Sequence, residues 1–141
     1  MATINASINI TSDIPYSGFS LSKTMTMTKA GTATGLENSN GLGVKKLAAT
    51  TAVVLELAAD ATASGANKLY IRNTGSNKAE HVKISFNASA SADTTTENIG
   101  KLYGGDWMLI PWEANGTTHN VVAAPSTADE VTTIEYMTFH E

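Results

Sequence analysis

The sequence predicts an all-β protein: an antiparallel, jelly-roll-like β-sandwich folded as a single domain over residues 1–141. Three observations lead there. Apolar and polar residues alternate with period two in runs from one end of the chain to the other, the pattern of strands with one buried face. Clusters rich in Gly and Asn separate these runs, and strands at a spacing of about 8–12 residues point to a sandwich or barrel. Finally, 141 residues fall within the size range of one self-sufficient core.

Taken in order, Ile4, Ala6, Ile8 and Ile10 alternate with Asn5, Ser7, Asn9 and Thr11 in the first run. In the second, Phe19, Leu21, Met25 and Met27 share one parity while Ser20, Ser22, Thr24, Thr26 and Thr28 share the other. Lys23 is the single polar residue on that apolar side, which predicts an edge strand or a half-covered one. Between Leu47 and Ala63 the chain is alanine-rich and roughly fits a helical stripe, but Thr50, Thr51, Val53 and Val54 are β-branched. Such residues lose rotamer freedom in helices, so a strand over Thr51–Leu57 followed by a loop is preferred. Val82, Ile84 and Phe86 alternate with His81, Lys83 and Ser85. Shorter strands are expected at Leu102–Tyr103, Trp107–Pro111 and His119–Ala123. The last run places Ile134 and Tyr136 on one face and Val131, Met137 and Phe139 on the other, so this strand is either central in a sheet or covered by a neighbouring subunit.

Turn signals sit between these runs at Pro15–Gly18, Asn38–Gly41, Asn73–Asn77 and Gly104–Asp106. Asn115-Gly116 is the clearest, because that dipeptide suits a type I′ hairpin turn. Two polar, small-residue stretches, 31–43 and 88–96, are expected to be mobile loops. No repeat at a period of about 20–50 residues and no second domain is visible.

Composition narrows the function classes. Only 16% of residues are charged, with nine basic and thirteen acidic side chains and a net charge of −4. A phosphate-binding face needs clustered positive charge. With Arg72 the only arginine and Lys45-Lys46 the only adjacent lysines, no nucleic-acid partner is expected. No apolar run approaches the roughly 18 residues of a membrane span, and the start MATINASINI lacks the charged and apolar regions of a secretion signal. The absence of cysteine removes disulfides, thiolate metal sites and a thiol nucleophile.

Catalytic chemistry finds no constellation. His81, His119 and His140 are far apart and hold no metal-ligand spacing, although sheet pairing could bring two of them to Asp106 or Glu113. The carboxylates Glu56, Glu80, Asp106, Glu113, Asp129, Glu130 and Glu135 are dispersed, where acid–base work needs a held pair. No G-x-S-x-G elbow exposes a serine, and neither Gly31–Gly35 nor Gly41–Gly43 completes a phosphate-binding loop. No enzyme, cofactor, metal or small-molecule substrate is expected. Trp107 and Trp112 have odd spacing, which puts them on opposite faces of a regular strand. The preferred reading has one in the core and one at a rim or subunit contact, since amphipathic rings favour interfaces. A stacking platform for sugar is the alternative.

From Val53 onward a cadence runs VVLEL, KLYIRNTGSN, HVKISF, IGKLYGGDWMLIPW, THNVVAA and TTIEYMTFHE. It resembles the small all-β virion proteins of tailed bacteriophages, including capsid decoration (cement) proteins. There, a strand ending in an Asn-containing turn (Leu69–Asn73) precedes a Gly-Asp–apolar–Pro segment (Leu102–Pro111) and a final strand with Glu-Tyr (Glu135-Tyr136). The resemblance covers about two thirds of the chain and brings no catalytic residue.

It implies a non-enzymatic decoration protein, made in the bacterial cytoplasm and carried on the virion's capsid surface. Such a protein would be a homotrimer stabilising the head by binding the major capsid protein across capsomers. A tail, neck or baseplate component, or a carbohydrate-binding module using Trp107, Trp112 or Tyr103, are the alternatives. The expected interface residues are Ile4, Ile8, Ile10, Trp112, Met137 and Phe139. For residues 1–12, two readings stay open: a first strand of the protein's own sheet, placed slightly ahead, or an arm that adds to a neighbour's sheet.

Overall fold

The computed structural model describes residues 3–48, 52–56, 58–61, 65–87, 98–116, 118–126 and 131–141. Eleven strands form three antiparallel sheets among these residues. Strands β1 (Ile4–Ser12) and β2 (Phe19–Met27) make a hairpin by themselves. Four strands, β5 (Val53–Glu56), β10 (Asn120–Pro125), β7 (His81–Asn87) and β8 (Asn98–Tyr103), make a second sheet in that order. The third contains β11 (Thr132–His140), β6 (Lys68–Asn73) and β9 (Trp107–Pro111), with β3 (Asn38–Ser39) and β4 (Gly43–Leu47) both paired to β11.

The four- and five-stranded sheets pack face to face as a β-sandwich. Leu69 and Ile71 of β6, Ile134 of β11 and Leu47 of β4 meet Val82 and Ile84 of β7, Leu102 of β8, and Val121 and Ala123 of β10 in one continuous core. Each such aliphatic side chain removed from water contributes about 1.5–3 kcal/mol. The period-two runs supply these residues because alternate side chains share a face. Strand β10 breaks the alternation, being buried at every position. It lies between β5 and β7, and its opposite face packs Val122 and Ala124 with Ala52 and Val54 in a second small cluster. A central strand covered on both sides reads as a continuous apolar run.

Asn73 joins the layers. It ends β6 fully buried, and its Nδ2 donates to the Leu102 carbonyl of the opposite sheet at 3.0 Å. Its Oδ1 accepts from Gly75 N at 2.9 Å. Its backbone N–H bonds to the Asp106 carbonyl and its own carbonyl accepts from Gly105, both at 2.9 Å. Gly105 is left-handed, with φ of 88°, and a side chain at Gly104 would strike the Gly75 and Asn77 carbonyls. The segments Leu69–Asn73 and Leu102–Pro111 are thus docked on each other.

Several expectations change. The strand expected over Thr51–Leu57 is Val53–Glu56, followed by a 3-10 turn at Ala58–Asp60 in place of a loop; Thr51 and Leu57 lie outside the described residues. Asn115-Gly116 is not a hairpin turn. The strands it separates, β9 and β10, belong to different sheets, and Asn115 is not among the residues of positive φ, which a type I′ turn requires. Asn115 Oδ1 instead accepts from Thr118 N at 2.7 Å and His119 N at 3.2 Å, holding a crossover. Stretch 31–43 contains β3 and a fully buried Leu36, while 88–96 lies outside the described residues. The final strand is central in its sheet, flanked by β6 on one side and β3 and β4 on the other.

Candidate assembly surface

The N-terminal hairpin has two chemically opposite faces. Nine antiparallel pairs run from Ile4–Met27 to Ser12–Phe19. On one face every residue is Asn, Ser or Thr, and cross-strand bonds tie it together: Ser7 Oγ to Thr24 Oγ1 and Thr26 Oγ1 to Asn5 Oδ1, each at 2.9 Å. Such pairs contribute about 0.2–1 kcal/mol each. The other face carries Ile4, Ala6, Ile8, Ile10, Leu21, Met25 and Met27, with Lys23 directly across from Ile8. Met27, at the base, is buried, but Ile8, Ile10, Leu21 and Met25 are exposed.

The base of this hairpin is anchored: Leu36 N donates to the Met27 carbonyl at 3.0 Å, and Thr28 bridges to Gly35. At its tip, Ser17 N bonds back to the Ile14 carbonyl at 3.0 Å, closing a turn around Pro15 and Tyr16. Tyr16 takes a φ of 69°, the one non-glycine residue to do so among those described. Its side chain is wholly exposed, and Ile14 and Phe19 beside it are exposed as well. A left-handed tyrosine costs on the order of 1–2 kcal/mol, so the turn presents this ring to solvent at an energetic cost.

Between the apolar face of the hairpin and edge strand β9 lies a cavity of about 650 Å³, lined by Ile8, Ile10, Met25, Trp107 and Leu109 among others. Trp107 continues onto the outer face of the five-stranded sheet. Register places Lys68, Tyr70 and Arg72 of β6 on that face opposite Pro111, Leu109 and Trp107, and opposite Phe139, Met137 and Glu135 on the other side. Tyr70 OH donates to Glu135 Oε1 at 2.8 Å, and Arg72 Nη1 pairs with the same oxygen at 3.4 Å. Burial, then the Glu135 hydrogen bond, push the Tyr70 hydroxyl above its usual range.

Five of the six expected interface residues fall on these surfaces: Ile4, Ile8 and Ile10 on the hairpin, and the half-buried Met137 and Phe139 on the outer sheet face. Trp112 does not. It is 2% exposed within the core, its backbone N–H bonded to the Asn67 carbonyl at 3.0 Å and its Nε1 to the His119 carbonyl at 2.8 Å. The two tryptophans divide between inside and outside as their spacing requires, but Trp107 is the outer one. Sequence reading passed over Tyr16, Tyr70, Leu109 and Arg72; the signal for Arg72 was its being the only arginine.

The histidines do not converge. The His81 ring lies 5.2 Å from that of Tyr103, tilted by 50°, His119 Nδ1 lies 3.0 Å from the Glu113 carbonyl, and His140 Nε2 lies 3.1 Å from Asn40 Oδ1. Among the described residues no three His, Asp or Glu side chains are grouped to hold a metal. Glu56 accepts from Asn40 Nδ2 at 2.8 Å, and burial raises its pKa. The expected candidates Asp129 and Glu130 lie outside the described residues. The chain matches no family model, no curated protein and no solved structure at a significant level.

Proposed function

We propose that this protein is a non-enzymatic assembly protein, a capsid decoration or cement protein of a tailed phage. It would be made in the bacterial cytoplasm, act as a homotrimer, and bind across major capsid protein subunits. The observation that carries this reading is the hairpin. A two-stranded ribbon is marginal in water unless a third strand or a packed face supports it, and this one leaves Ile8, Ile10, Leu21 and Met25 uncovered along its length. Exposed apolar faces of this kind mark protein contacts. The phage-like cadence of the C-terminal two thirds, and a surface of Thr, Ser, Asn and Ala with few charges, support the same assignment. Burying the hairpin's apolar face at subunit and capsomer joints would strengthen a shell without chemistry, since apolar burial yields about 25 cal/mol per Å².

The test is uptake of purified protein onto phage heads assembled without it, followed by electron microscopy. Symmetric density on the head and none on tails is the expected result. Binding to tails alone would move the protein to the neck, tail or baseplate, and binding to neither would end the virion reading.

A further inference from the structure

We propose that the outer face of the five-stranded sheet carries a binding site for a hexopyranose unit, built from Trp107, Tyr70, Arg72 and Glu135. Trp107 is 50% exposed and stands directly across from Arg72 in the β6–β9 register. Together with Tyr70 and Gly105 these side chains line a shallow depression of about 470 Å³. Gly105 borders it without a side chain, its φ of 88° being one that glycine adopts freely. Glu135 stands behind the depression, on the other side of β6, and its Oε1 accepts from both Tyr70 OH and Arg72 Nη1.

This combination suits a pyranose in three respects. The ring's C–H face packs on an exposed aromatic, which supplies large contact area from a rigid side chain. Neighbouring hydroxyls each need a donor and an acceptor, and the planar guanidinium of Arg72 beside the Glu135 carboxylate offers both within one patch. The polar groups are already held by one another, so binding does not have to order them. On the other side of Trp107 the cavity beneath the hairpin is lined mainly by Ile8, Ile10, Met25, Met108 and Leu109, with Ser7, Asn9 and Lys23 as its polar members; it holds no paired donor and carboxylate like Arg72 and Glu135. The sugar therefore belongs on the Arg72 side, and this site goes beyond the assembly reading without depending on it.

The test is a tryptophan fluorescence titration with methyl glucopyranoside, methyl galactopyranoside and N-acetylglucosamine, with sorbitol as a polyol lacking a ring face. Trp112 is sealed in the core, so a ligand-dependent signal reports Trp107. A saturable change with at least one pyranoside and none with sorbitol is expected. E135Q and R72M should each weaken it by about tenfold, the effect of losing a charged hydrogen bond, while native mass and melting temperature stay unchanged. A positive pyranoside is then presented as a polysaccharide to separate a surface glycan from a free sugar. No saturable response to any of the three pyranosides, or a response that survives both substitutions, overturns the proposal. Loss of the oligomer in an Ile8 variant with the sugar response intact would show the two surfaces to be separate.

Discussion

Ile8 stands directly across from Lys23 in the N-terminal hairpin, so one ammonium sits amid the apolar side chains of that face. Among the described residues the edge of β9 borders this face across a cavity. Ile8 is 38% exposed, and substitutions at such positions usually change a monomer's stability by no more than about 0.5 kcal/mol. Ile8→Asp should therefore leave the melting temperature of the isolated chain nearly unaltered. In an assembly it buries a carboxylate against apolar surface and should weaken association by tenfold or more, about 1.4 kcal/mol. Sedimentation of the two proteins side by side checks both halves of the prediction.

Tyr16 gives a second prediction. Glycine enters the left-handed region without the steric cost that tyrosine meets, and the Tyr16 ring makes no contact that its full exposure would register. Tyr16→Gly should be neutral to stabilising for the free protein, by up to about 1 kcal/mol. If the ring is an anchor for a partner, the same change should reduce uptake onto heads. Calorimetry and the head-binding assay read the two effects independently.

Asn73 fastens the two sheets. Asn73→Ala strands the buried Leu102 carbonyl and the half-buried Gly75 N–H, each now bonded to its side-chain amide. Leaving a buried polar group unsatisfied costs about 1–3 kcal/mol, so a loss of about 2–4 kcal/mol is expected. Asn73→Asp keeps the acceptor for Gly75 but sets a buried carboxylate against the Leu102 carbonyl oxygen, and should be at least as damaging as Asn73→Ala. Thermal denaturation of the three proteins gives the order.

A pH prediction rests on His81. Burial first, then the charges of Lys101 and Lys83, hold its pKa below the ordinary value of 6.5, and its Nε2 is buried with no hydrogen-bond partner among the described residues. The unfolded chain therefore binds this proton more readily than the folded one. The resulting stability is complete above the ordinary histidine value and is lost as the pH falls through that value toward the lower folded one. Urea unfolding across that interval should show stability rising with pH, and His81→Gln should flatten the rise.

Much of the sandwich was legible because its strands obey simple burial rules. Val82, Ile84 and Phe86 alternate since only one face of β7 meets the main core. The strand at Gly43–Leu47 was not legible: its residues Gly-Val-Lys-Lys-Leu have no alternation, and it forms because β11 offers an edge from Thr132 to Tyr136. Gly43 is required there, since a side chain would run into the Tyr136 ring. Asn115-Gly116 misled because local turn chemistry does not say whether the next strand returns to the same sheet. The tryptophans were legible as a pair on opposite faces. The run WMLIPW is apolar throughout, however, and only the packing of Met108 and Ile110 into the core shows which side is in. The hairpin's apolar face was read correctly from Ile4 to Ile10, while its exposure could not be read, because a strand's pattern does not name what covers it.

The central claim is that the hairpin's apolar face joins copies of this chain, and native mass by light scattering over a concentration series tests it most directly. The account predicts a stable species at about three times 14.7 kDa that reverts to a single chain when Ile8 and Ile10 are both replaced by Asp. A wild-type protein that stays at 14.7 kDa at every concentration, or an oligomer indifferent to those two substitutions, would contradict it.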